Sequence, residues 1–149
     1  MKSILFTIGC IFALILISFK TTETTDKHTI EGIWELVDQY TYDGENVVDT
    51  IETSEGYRQI KMYTDGKVMW TRFVPQDSVE WFGYGSYIVT DSSLIETLEY
   101  GSASMMQIID TMRVFTFKLD LKDDYYSQIT LDSDGDPIFS ENYKRIGPK

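Results

Sequence analysis

Gly32-Ile33-Trp34 and Tyr143-Lys144-Arg145-Ile146 stand near the two ends of the strand-forming part of this chain, and reading them as a pair decides the fold. A Gly-x-Trp at the start of a first strand lets an indole fold under the floor of a small barrel. An arginine on a last strand can then lie across that ring, through cation–π contact and hydrogen bonds to nearby carbonyls. Only a closed sheet brings two such distant stretches side by side. Gly32, Trp34 and Arg145 are therefore the candidate structural residues.

The chain between them alternates with a period of two. Phe115, Phe117, Leu119 and Leu121 share one face of the segment 113–121, with polar or charged residues between them. Segment 125–131 follows the Lys122-Asp123 turn, with Ile129 and Leu131 taken as inward. Asp132-Ser133-Asp134-Gly135 turns again into 137–146. Upstream, 33–42, 58–63, 67–74, 80–90 and 94–100 read as further strands. Thr64-Asp65-Gly66, Pro75-Gln76-Asp77 and Asp91-Ser92-Ser93 break them with residues that favour turns. The expectation is an all-β, antiparallel up-and-down barrel of about eight strands, a size that can enclose one small ligand. Residues 101–110, with Met105 and Met106, break the pattern and read as a flexible flap or a single helical turn.

Ahead of the barrel lies a targeting segment. Lys2 precedes an almost wholly apolar run over 4–19, followed by Lys20-Thr21-Thr22-Glu23. That is the layout of a secretory signal peptide over 1–19, shorter than the roughly 20 residues that span a bilayer. An uncleaved anchor is the alternative. Residues 20–30 read as a polar linker carrying the chain's one histidine, His28, and 31–147 as the barrel domain. The single cysteine, Cys10, sits inside the apolar run, so neither a lipid anchor after that run nor a disulfide is expected.

Without 1–19 the chain carries 12 basic and 24 acidic side chains, a formal charge of −12. Such a surface repels nucleic-acid phosphates and anionic membranes, and it also keeps a protein soluble. Neither partner is expected, nor any membrane contact beyond the signal segment; a monomer or weak homodimer is. Of the chain's 21 aromatics (three Trp, ten Tyr and eight Phe), all but Phe6, Phe12 and Phe19 lie beyond residue 19, to supply the core that no disulfide can replace.

Three runs in this order resemble a known family: Lys61-Met62-Tyr63-Thr64-Asp65-Gly66-Lys67-Val68-Met69-Trp70, then Gly83-Tyr84-Gly85-Ser86-Tyr87, then Glu96-Thr97-Leu98-Glu99-Tyr100. With the opening Gly-x-Trp and the closing Glu141, Tyr143 and Arg145, they are similar to secreted bacterial lipocalin-like (calycin-type) domains of unknown function. Val68 stands where that family tends to carry an aromatic, and Tyr143 where a tryptophan is usual. The resemblance implies a barrel and an exported location, periplasmic or extracellular. It implies no reaction and no ligand.

For a binding site, alternation puts Val68, Trp70 and Arg72 on one face of their strand, and Trp81, Gly83, Gly85 and Tyr87 on one face of the next. Two glycines in a row leave space for a ligand, or let a strand bend at a barrel corner. If these faces point inward, Trp70, Trp81, Tyr87, Phe115 and Phe117 line a cavity, with Arg72 and Glu96 as its polar groups and Arg72 placed to clamp a carboxylate. The open alternative is a barrel filled by its own side chains, acting through its surface. Tyr57, Tyr63 and Tyr126 are then the surface aromatics, with the Met105-Met106 flap or a sheet edge.

Catalysis and metals find little support. No cysteine lies in the barrel and His28 is in the linker, so no Cys-His pair, Ser-His-Asp triad, His-rich zinc site or histidine-ligated haem can be assembled there. No cofactor is expected. Glu96 and Glu99 lie three apart on a strand and face opposite ways; Asp120, Asp123 and Asp124 suit turn hydrogen bonding. Asp132-x-Asp134-Gly135-Asp136 has Pro137 and Tyr143 where an EF-hand needs glycine and glutamate, and reads as a tight turn, with a non-EF calcium site as the alternative.

Overall fold

The structure, a computed structural model, describes residues 28–77 and 79–147; the segment 1–19 expected to be a signal peptide and most of the expected linker over 20–30 lie outside the described residues. Nine strands run in chain order: β1 (Gly32–Asp43), β2 (Asn46–Thr50), β3 (Arg58–Thr64), β4 (Lys67–Phe73), β5 (Trp81–Val89), β6 (Ser93–Gly101), β7 (Val114–Leu121), β8 (Tyr125–Leu131) and β9 (Pro137–Arg145). One helix, α1 (Ala103–Ile109), interrupts them. All pairings are antiparallel, in the order β2-β1-β3-β4-β5-β6-β7-β8-β9, and β1 pairs again with β9. The ring therefore closes on eight strands, a barrel, with β2 outside it.

β1 closes the ring by sharing its length. Gly32 to Glu35 pair with β3, Trp34 to Thr41 pair with β9, and Tyr40 to Asp43 carry β2 as a hairpin beyond β3's reach. A bulge between Leu36 and Asp38 turns the strand between these tasks. Asp65 and Gly66 link β3 to β4 with φ of 46° and 73°, the positive values that a two-residue hairpin turn requires.

The floor is aromatic. Trp34, Tyr63, Tyr126 and Tyr143 are fully buried with Ile30, Val68 and Leu94. Trp34 meets Tyr126 edge to face at 4.8 Å, and Tyr126 stacks on Tyr143 at 4.8 Å. Arg145 lies 4.0 Å over the Trp34 ring and donates to the carbonyls of Asp123, Glu31 and Thr29, while the indole N–H donates to Ile30 O at 2.7 Å. Gly32, with φ 133°, starts the strand in a conformation that suits glycine.

Three expectations are corrected here, and the choice between flap and helical turn over 101–110 is decided. β2 has no alternating apolar face, since all five of its residues are exposed, and the sequence pattern passed over it. Tyr63 and Tyr126 are core rather than surface, because each finds a partner for its hydroxyl inside the barrel. On β8 the inward residues are Tyr126, Gln128 and Thr130, which pair across with Tyr143, Glu141 and Phe139. Ile129 and Leu131 are therefore on the outer face: the interior is polar there, so hydrophobicity pointed the wrong way. Residues 101–110 hold a seven-residue helix, capped by Ser102 and anchored by buried Met105 and Ile109.

Candidate functional site

Above the aromatic floor the barrel is not filled. A cavity of about 360 Å³ opens there, within the range of roughly 300–1,000 Å³ typical of small-molecule sites. One wall is apolar: Trp70 from β4, Trp81 from β5, Leu98 from β6 and Phe115 and Phe117 from β7. Met105 and Ile108 of α1 close over them. Gly83 makes room for this wall, because a Cβ there would come within 2.6 Å of the Trp70 indole nitrogen. Gly85 serves differently: a Cβ there would meet the backbone of Thr97 and Leu98, where a bulge brings β6 close.

The opposite wall is a hydrogen-bonded network. Lys61 Nζ reaches both Glu96 carboxylate oxygens at 2.8 and 3.0 Å and Gln128 Oε1 at 2.8 Å, which engages all three of its protons. Tyr63 donates to Glu96 Oε1 at 2.6 Å. Glu141 receives Gln59 at 3.0 Å, and both Gln128 and Tyr143 at 2.7 Å. Gln59 Oε1 in turn accepts from Tyr57 at 2.7 Å and from Arg72 Nε at 3.0 Å. Among the described residues no buried side-chain nitrogen or oxygen lacks a partner, which is what makes such a network tolerable in a core.

The network acts on its phenols. Burial pushes the Tyr63 and Tyr143 hydroxyls well above the ordinary tyrosine range, and the neighbouring carboxylates of Glu96 and Glu141 push the same way. Tyr126 is raised by burial against a partial offset from its hydrogen bond with Tyr63.

Of the residues singled out in the sequence, Trp70, Arg72, Trp81, Glu96, Phe115 and Phe117 line this cavity together. Tyr87 does not. It packs against the floor, its ring 5.0 Å from Tyr63, because it stands two residues beyond Gly85, the partner of the floor residue Val68, at the floor end of the inward row. Sequence reasoning missed Gln59, Lys61, Gln128 and Glu141. Glu141 was within reach, since alternation puts it on the face of Tyr143 and Arg145. Nothing in the pattern marks Lys61 or Gln128 as inward.

No group of three or more His, Cys, Asp or Glu among the described residues is arranged to hold a metal ion. Asp132 Oδ1 accepts the backbone N–H groups of Asp134 and Asp136, each at 2.9 Å, so the acidic turn is closed on itself. No helix among the described residues is long and apolar enough to cross a membrane.

No protein-family model matches the sequence, and no curated protein does. The chain is similar in fold to a crystal structure of an uncharacterized protein from Bacteroides eggerthii DSM 20697, with a TM-score of 0.50 and 16% identity over 78% of this chain and 98% of that chain. At that identity the likeness concerns the fold alone.

Proposed function

We propose that this is an exported, lipocalin-like barrel that binds a small apolar or amphiphilic molecule in its interior. The observation that carries the reading is the cavity itself, with an apolar wall bearing two tryptophans opposite a polar wall that is already satisfied. An apolar tail entering it buries surface without stranding an acceptor, since each carboxylate and amide oxygen of the polar wall already has a donor. Export is supported by the order of a basic residue, an apolar run and a polar stretch at 1–23. Titration with the neutral fluorophore N-phenyl-1-naphthylamine tests the binding. Saturable enhancement at one site, abolished by the cavity-filling Thr130→Phe, is expected; unsaturable enhancement that ignores this substitution contradicts the reading.

One observation favours a second reading, an interaction protein acting through its outside. Ile33, Met62, Met69, Tyr84 and Tyr100 are direct cross-strand neighbours in one row over β1, β3, β4, β5 and β6. Met69 and Tyr100 are exposed within it. Self-association in analytical ultracentrifugation, lost in Met69→Lys, is its expected signature.

A further inference from the structure

Resting on the reading of the interior as a binding site, we propose that the ligand carries a single-anion head, a carboxylate or an equivalent monoanion, which docks on Arg72 while its tail lies along Trp70, Trp81 and Phe115.

Charge alone does not choose the sign. Four ionisable side chains line the cavity, Lys61 and Arg72 against Glu96 and Glu141, and they cancel. The hydrogen-bond inventory does choose. Each acceptor oxygen of Glu96, Glu141, Gln59 and Gln128 already receives a proton from the protein. Lys61 has no proton left to give. Arg72 differs: its Nε is spent on Gln59 and the Tyr57 hydroxyl also draws on its guanidinium, but no carboxylate lies within hydrogen-bond distance of it, Glu141 standing with Oε1 at 3.9 Å from Nη2, so the fork keeps N–H groups to give. The Arg72 side chain is one-third exposed (32%) and sits 5.8 Å over the Trp81 ring, so it stands at the wet end of the apolar wall. Among the described residues no acceptor meets the indole N–H groups of Trp70 and Trp81 either. The cavity therefore offers donors and withholds acceptors, which fits an acceptor-only head.

A cationic head would find its carboxylates already taken and would face Arg72. A dianion would bring one more charge than the one available fork can balance, beside Glu141. The chain's net charge of −11 opposes any anion at a distance, but salt screens that field within about 8 Å, and the contact with Arg72 is made inside it.

The test is calorimetric titration of residues 20–149 with four probes sharing one tail: octanoate, octanol, octylammonium and octyl phosphate. Octanoate is expected to bind about tenfold or more tighter than octanol, the margin of a charge-assisted hydrogen bond. Octyl phosphate as the dianion is expected to be weaker than octanoate, and octylammonium weakest. Arg72→Gln should erase the octanoate advantage, bringing octanoate level with octanol in that variant. If losing the Gln59 contact unsettles the fold, Arg72→Lys, which keeps the charge without the fork, should fall between. Equal binding of octanol and octanoate, or tightest binding of octylammonium, overturns the head-group assignment while leaving the cavity reading standing. Failure of all four, octanol included, overturns the cavity reading and this proposal with it.

Discussion

Trp34 and Arg145 tie the floor together through one indole hydrogen bond, a ring-to-guanidinium stack at 4.0 Å, and three carbonyls that accept from the one guanidinium. Trp34→Ala should cost about 3–5 kcal/mol in urea denaturation, as large-to-small changes of a buried aromatic do. Arg145→Ala should cost about 2 kcal/mol or more, because three carbonyls lose their donor as the stack is lost. An unchanged midpoint in either variant would remove the floor from the account. Lys61 and Glu96 call for a cycle instead of a single change. Lys61→Met alone strands a buried carboxylate and should cost about 3–5 kcal/mol, whereas Lys61→Met with Glu96→Leu should recover much of it. This residue scale was unevenly legible. Trp34 and Arg145 could be paired from sequence because both sit at fixed offsets from strand ends. Lys61 could not be read as inward, because a lysine on a strand is ordinarily solvated, and only three acceptors from β6 and β8 make its burial tolerable.

Strands β4 and β5 show how one element shapes the cavity of its neighbour. Val68, Trp70 and Arg72 face inward as their alternation predicts, and the β5 row opposite them has glycines where the indole lies. Gly83→Ala should therefore displace the Trp70 ring. The expected outcome is a shifted tryptophan emission and weaker binding of N-phenyl-1-naphthylamine, with a modest loss of stability. Gly85→Ala should be worse for the fold, since its Cβ meets backbone rather than a movable side chain. If Gly83→Ala leaves emission and binding unchanged, the glycine is not what makes room for Trp70. At this scale the alternating strands and their turns were legible. β2 was not, because a fully exposed strand has no buried face to impose a pattern. The faces of β8 were inverted for a related reason: periodicity finds the inner face only where that face is apolar, and here it carries Gln128 opposite Glu141.

At the scale of the whole molecule, the barrel sets a cavity with one apolar and one polar wall above an aromatic floor, roofed by α1. The floor has a consequence at high pH. Tyr63, Tyr126 and Tyr143 have folded-state pKa values well above the ordinary value of about 10, burial being the first cause for each. Their stabilising contribution is then complete below pH 10 and is lost as pH rises toward those folded values, because the unfolded phenols ionise first. Tyrosinate absorbance should show these three appearing late, together with loss of the near-ultraviolet circular dichroism of the fold; all ten tyrosines titrating together near pH 10 would contradict it. The closed ring was legible from its two ends, whereas the division of its interior into a dry wall and a polar wall arises from pairings between strands distant in sequence. The most direct measurement is native mass spectrometry of residues 20–149, purified from bacteria without lipid-stripping steps. The account predicts a discrete small adduct that leaves on denaturation and whose retention is lost in Thr130→Phe. A clean apo mass, with no adduct after incubation with octanoate or octanol, would contradict it.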